Sequence, residues 1–333
     1  MKKFFAFIFK TIAWLVSIVL ALVFLVFVGE KIYFGAFFFG GAKVEMEIPG
    51  LWSSYVPQGF DQIDEDTYLM SAYDKGETLP SAIFVVNGDD AKKCELYTDE
   101  NCTVPYMSHA GGVTHFNDYV YIANDTGDYE NFTTTCDMFS YADMMDDGKA
   151  HVIGSIEVPN RLAYCSVYDG KLYVGAFYRE GSKYVTQESH QMTTPAGDQN
   201  TALMFVYTLD ETTGKPVSST PDKIYSTLSN VQGMCLTESG KIVLSTSWGL
   251  STSVLYVYDE TTAARSTFAF NGTDVELIYL DSASLVQTVE CPPMSEELVC
   301  RDGRVYILTE SASMKYIFGK IMSGNFVHSY PIA

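Results

Sequence analysis

Residues able to do chemistry recur at two fixed places in a unit that the 333-residue chain repeats five times. Before the first strand of the unit stand Gln58, His109, Tyr164, Gln232 and the pair Ser295-Glu296. After the second strand stand Asp74, Asp125, Arg179, Trp248 and Glu310. Carboxylates and carboxamides are the donors that a hard cation such as calcium binds. Glu296, Asp125, Glu310, Gln58 and Gln232 would supply such oxygens if the chain brings them together, with Glu296 and Asp125 as the leading metal ligands. A bound cation would activate water for lactone or ester hydrolysis, with His109 as base. The competing chemistry is recognition without reaction. Trp248, Tyr73, Tyr164 and Tyr178 would give apolar area and the polar set would orient a small molecule, a glycan or a peptide. A third reading is a structural scaffold for envelope proteins. No GxSxG elbow, HExxH or P-loop occurs, so serine hydrolase, zincin and nucleotide-binding chemistries lack their motifs.

The elements that must position these residues are strands. VQGMCLTESGKIVLSTSWG from Val231 is copied by VPQGFDQIDEDTYLMSAYD from Val56, HAGGVTHFNDYVYIAND from His109, RLAYCSVYDGKLYVGAFY from Arg161 and MSEELVCRDGRVYILTES from Met294. Gly59, Gly112, Ala163, Gly233 and Glu296 mark one position, at intervals of 53, 51, 70 and 63 residues. A period of this size marks a repeat architecture. Each copy is followed by an apolar strand and a polar turn, with no helix-period segment between, which predicts an all-β propeller of four-stranded blades. Five blades are expected; the 70-residue interval leaves room for a sixth. KVEMEI at Lys43 has the place of an outer strand and is expected to complete the last blade, with MKYIFGKIM from Met314 as that blade's third strand. Alternatively NFVHSYPI is that blade's own outer strand, which would leave KVEMEI as an extra edge. In such a meander the polar positions lie on one face, around the axial mouth. The long connection Tyr178 to Thr201 would overhang it.

The chain carries a net charge of −20, which repels nucleic acid and anionic lipid and excludes nucleic-acid partners. Thr11 to Val28 is an uncharged run preceded by Lys2, Lys3 and Lys10, long enough to span a bilayer as one N-terminal transmembrane helix. It reads as an uncleaved anchor, because the small-residue site Gly40-Gly41-Ala42 lies well beyond it. The expected organisation is an anchor and short linker over 1–42 and a propeller over 43–333, with a cytoplasmic N-terminus and an extracytoplasmic propeller in the cell membrane. Because KVEMEI would start on the far face, the mouth would point away from the bilayer. The seven Cys are odd in number and several fall inside strand patterns, so buried thiols are expected, although Cys94 with Cys102 and Cys291 with Cys300 could each close a short loop.

The segments YVPQGF, HAGGV, VQGMCLTESGKIVLSTSWG, YLDSASLVQTVECPPMSEEL and YILTES resemble exported bacterial β-propellers for which no reaction is known, over roughly Val44 to Tyr316. The resemblance implies a fold and an exported location. More distantly the architecture is similar to gluconolactonase-like and strictosidine-synthase-like propellers. Gluconolactonase-like enzymes hold a divalent metal at the axial mouth through an early Glu with Asn and Asp. Here the early position is Gln58, and the nearest carboxylates are Glu296 and Glu297 in the last copy.

Overall fold

The computed structural model describes residues 2–37, 41–128, 132–317, 319–320 and 324–332. Lys2–Phe37 form one helix, of which Lys2–Gly29 is long and apolar enough to cross a membrane and contains no buried residue. Its hydroxyls are satisfied internally: Thr11 donates to the Phe7 carbonyl at 3.1 Å and Ser17 to that of Ala13 at 2.9 Å. Hydrocarbon offers no other acceptor. The helix outruns the apolar segment, so most of the expected linker after Glu30 is helical.

The strands form five blades around one axis. Blade one comprises Tyr55–Gln62, Thr67–Asp74, Ala82–Asn87 and Asp90–Tyr97, from the axis outwards. Blade two comprises Val113–Phe116, Tyr119–Asp128, Thr133–Ser140 and Gly154–Val158. Blade three comprises Leu162–Tyr168, Lys171–Ala176, Ala202–Thr208 and Lys223–Thr227. Blade four comprises Val231–Leu236, Ile242–Thr246, Ser253–Tyr258 and Leu285–Cys291. Blade five takes Ser295–Arg301, Arg304–Thr309 and Phe326–Pro331 from the C-terminal part of the chain and Lys43–Glu47 from the N-terminal part.

Lys43 pairs with Ser329 and Val44 with His328, so KVEMEI closes the ring as expected. Its partner is NFVHSYPI, not MKYIFGKIM. The described residues of the latter segment, Met314–Ile317 and Gly319–Lys320, are turns on the mouth face. The long interval before Gly233 holds no sixth blade. It contains a one-turn 3-10 helix, Glu188–His190, and a two-residue hairpin pairing Met192 with Asn200. Helical structure does interrupt blade two, where Ser140 caps the short helix Tyr141–Asp147. Two blades are widened from their neighbours: Lys149–His151 pairs in parallel with the outer strand of blade one, and Thr273–Tyr279 with that of blade three.

The inner strands share one irregularity. In blades one, three, four and five the register slips by one residue just after the strand begins, within Pro57–Phe60, Leu162–Tyr164, Val231–Gly233 and Ser295–Leu298. Each slip is a β-bulge, which bends the strand and re-aims a side chain. Bulges also strand backbone donors, and these need partners when buried. The buried Glu297 carboxyl serves one of them, accepting from the Phe60 amide of blade one at 3.0 Å, and also accepts from the Val113 amide at the start of the unbulged inner strand of blade two at 2.9 Å. Glycines permit this crowding. A Cβ on Gly112 would lie 2.5 Å from the Cys165 nitrogen, and one on Gly233 would lie 2.5 Å from the Glu297 Cα.

Two stability measurements on the detergent-solubilised chain test this axis. Gly112→Ala is expected to cost about 3 kcal/mol, because backbone must move. Gly240→Ala, at φ +80 in open space, should cost about 1 kcal/mol. Equal losses in urea denaturation would show that the axis is not close-packed. Glu297→Ala should cost about 3 kcal/mol or more by leaving two amides unpaired, while Glu297→Gln, which keeps an acceptor, should lose about half as much. An Ala variant as stable as the Gln variant would remove the carboxylate from this role.

Candidate functional site

The bulges determine what reaches the mouth. Gln58, Gln232 and Glu296 are the slipped residues of blades one, four and five, and all three line an axial cavity of about 370 Å³ together with His109, Asp125, Trp248 and Glu310. In blade three the slipped residue is Ala163, so the next residue, Tyr164, faces the opposite way. Its ring is fully buried against Gly175, where a Cβ would meet it at 2.0 Å. Tyr164 is therefore a core residue outside the cavity, and Arg161 takes its place in the lining. Asp74 is also diverted. It accepts from the Thr78 amide and hydroxyl and the Leu79 amide, at 2.8, 3.0 and 3.0 Å, and braces a turn.

The floor is an alternation of carboxyl and carboxamide groups. Gln58 donates to Glu310 Oε2 at 3.1 Å and to its neighbouring Pro57 carbonyl at 2.7 Å. Gln232 donates to Glu296 Oε1 at 3.4 Å and reaches Ser247 at 3.5 Å. Burial raises the Glu296 carboxyl well above its ordinary value, and the charge of Glu310 adds to the shift while Lys315 opposes it. Glu310 is raised too, first by burial, against Lys315, Tyr316 and Gln58. Both shifts favour the protonated form, in which a carboxyl is donor as well as acceptor. Such a floor can both donate to and accept from the hydroxyls of a bound molecule.

One wall is aromatic. Phe177, Tyr184 and Trp248 meet pairwise at 5.5–6.3 Å between ring centroids. Arg179 lies 4.0 Å above the indole and fixes its plane. Trp248 still has 40 % of its surface exposed, an apolar plate bordering the cavity. The opposite wall stacks His109 on Tyr73 at 4.2 Å, and Lys315 donates to the Tyr73 hydroxyl at 2.6 Å. Burial lowers the His109 imidazole to about 4, with Asp125 opposing and Lys315, Lys183 and Arg161 reinforcing. His109 is thus neutral at neutral pH. Arg161 is itself held by the Lys183 carbonyl at 2.6 Å and by the Tyr184 ring, so the long connection of blade three does border the mouth. Tyr178 and Arg179 flank this wall but are not part of the lining.

Sequence reasoning missed Arg161, Phe177, Tyr184, Lys315 and Tyr316. Arg161 opens its copy of the unit and could have been read from that place. Lys315 and Tyr316 were hidden because their segment has the composition of a strand. The metal expectation for Glu296 and Asp125 does not assemble: among the described residues no three His, Cys, Asp or Glu side chains converge as a metal site, and the two floor carboxyls accept from the Gln232 and Gln58 amides. The cysteines are free thiols, as expected, and neither Cys94 with Cys102 nor Cys291 with Cys300 closes the short loop that their spacing allowed.

No protein-family model matches the chain, and no curated relative matches it by sequence. Solved structures similar to it include an aldose sugar dehydrogenase from Streptomyces coelicolor with bound PQQ, at 13% identity and a TM-score of 0.47, covering 87% of this chain and 97% of that one. An oxidoreductase (glucose dehydrogenase) from Thermus thermophilus is similar at 12% identity and a TM-score of 0.44, covering 87% and 99%. BamB from Moraxella catarrhalis is similar at 10% identity and a TM-score of 0.30, covering 82% and 80%. None of these likenesses bears on what the mouth does. The resemblance to exported propellers has no sequence family behind it; the propeller itself is what stands.

The carboxyl floor makes a signed prediction. A carboxyl whose folded value is raised is stabilising while neutral; that stability is complete below its ordinary value and is lost as pH rises through the raised one. Glu296→Gln should therefore melt above the wild type at pH 8, by about 2–4 °C for each kcal/mol regained, and the gap should close at pH 5. A gap that does not change with pH in thermal melts would show that Glu296 is not held neutral.

Proposed function

We propose that this chain is a membrane-anchored, extracytoplasmic propeller whose outward mouth binds a small polyhydroxylated molecule, a sugar unit free or at the end of a glycan. The convergence of Gln58, Gln232, Glu296 and Glu310 beneath the Trp248 plate carries this reading. A sugar presents flat CH faces and a rim of hydroxyls that are donor and acceptor at once. An exposed indole beside a floor of amide and carboxyl groups complements both. The cavity is at the small end of the range for ligand sites, which fits one or two sugar rings better than a folded peptide. Arg161 and Lys315 leave room for an acidic substituent.

The anchoring half of the proposal is supported by the apolar helix and by the place where the ring is entered. Arg304 donates to the Gly41 carbonyl at 2.6 Å, beside the turn at Asp302-Gly303 and opposite the mouth. With the lysines of the N-terminus retained on the cytoplasmic side, the mouth faces outwards.

Neutral and acidic sugars titrated against the full-length protein in detergent should raise its melting temperature, since a ligand bound only by the native state stabilises it, by about 2.7 kcal/mol at a hundredfold excess over Kd. Trp248→Ala and Gln232→Ala should each weaken binding at least about tenfold with the melt of the free protein little changed. Failure of every sugar class at millimolar concentration, or binding untouched by both variants, would overturn the reading.

A further inference from the structure

Away from the mouth, near the opposite end of the axis, two thiols face each other across neighbouring blades. Cys235, fully buried, lies in the inner strand of blade four, opposite Val243. Cys300 lies in the inner strand of blade five, opposite Val305. Cys300 packs against the core cluster that contains Cys235, and each thiol lies close enough to shift the other's titration. The same seam is pinned one turn further on, where the Asp302 amide donates to Glu238 Oε1 of blade four at 2.8 Å.

We propose that Cys235 and Cys300 are a reversible dithiol–disulfide pair that laces the inner strands of blades four and five. The two thiols are unequal in the way that thiol–disulfide exchange requires. Cys300 is partly exposed, whereas Cys235 has no surface exposed. The thiol of Cys235 donates to Cys300 and holds it below its ordinary value, against burial, while burial raises Cys235 well above its own. Cys300 is therefore the attacking thiolate and Cys235 the resolving thiol. The oxidant is a disulfide. The Cys300 thiolate attacks one of its sulfurs, and the other leaves as a thiolate that takes up a proton. Cys235 then loses its proton and attacks the Cys300 sulfur of the mixed disulfide, expelling the second thiol. Two electrons and two protons pass to the oxidant, one S–S bond breaks and one forms.

The chain carries its own control. Cys136 and Cys165 also meet across a seam, between blades two and three, with both side chains fully buried in one cluster and the Cys165 thiol donating to the Tyr121 carbonyl at 3.8 Å. They have no exposed member to start exchange. Cys102, partly exposed on blade one, offers a thiol of similar access for comparison.

The test uses full-length protein in detergent, equilibrated in oxidised and reduced glutathione, alkylated and mapped by mass spectrometry. A linked Cys235–Cys300 peptide should form and disappear on reduction, with Cys136 and Cys165 alkylated only after denaturation. The oxidised protein should melt about 5–10 °C higher, because the link closes a long loop. In Cys235→Ser, Cys300 should accumulate as a glutathione adduct for want of a resolving thiol; in Cys300→Ser, Cys235 should take up none. Should wild-type Cys300 itself accumulate the adduct, or should Cys102 be modified while no linked peptide forms, the proposal fails. The mapping of the wild type decides the matter even if a variant does not fold.

Discussion

The fold hangs on a carboxylate at its axis. Four inner strands bulge where they approach the centre, and bulging leaves backbone amides without ladder partners in a place that water cannot reach. Glu297 crosses from blade five and takes the amides of Phe60 and Val113, so that three of the five blades meet on one side chain. Glycines at 59, 112 and 233 let the strands close in far enough for this to happen. Burial raises the Glu297 carboxyl well above its ordinary value even though those two amides oppose the shift. Such an arrangement persists only because removing either side of it leaves buried groups unsatisfied.

The mouth follows from the same geometry. A bulge that presses one residue toward the axis turns its neighbour outward to the cavity rim, so the polar floor and the structural clamp come from adjacent positions: Glu296 faces the cavity and Glu297 faces the strands. Gln58 beside Gly59, and Gln232 beside Gly233, repeat this division of labour. What the cavity can bind is in this sense a by-product of how the blades are fitted together. The walls are independent of it, because Tyr184 and Lys315 come from loops that the ring does not need.

The repeat and its strands were legible in the sequence because period-2 alternation and turn glycines are local signals, and the closing strand Lys43–Glu47 was legible because a missing element at one end matched a surplus at the other. Register within a bulge is not local. One inserted residue reverses which side chains face the axis, and this is why Tyr164 reads as a mouth residue and is found in the core. The segment from Met314 has the apolar and aromatic content of a strand; Phe326–Pro331 occupies the ladder instead, which leaves Lys315 and Tyr316 on the rim. The thiols show the same limit: spacing favours Cys94 with Cys102 and Cys291 with Cys300, whereas the contacts that form run between blades.

Completion of blade five by Lys43–Glu47 sets an order of events for synthesis. The first strand of the ring is made long before its hydrogen-bonding partner, Phe326–Pro331. Until that later segment arrives, the ring is an open arc with an unpaired edge at either end. Closure of the ring is thus a long-range docking step that waits on translation of that segment, and whatever shields the nascent edges governs the yield.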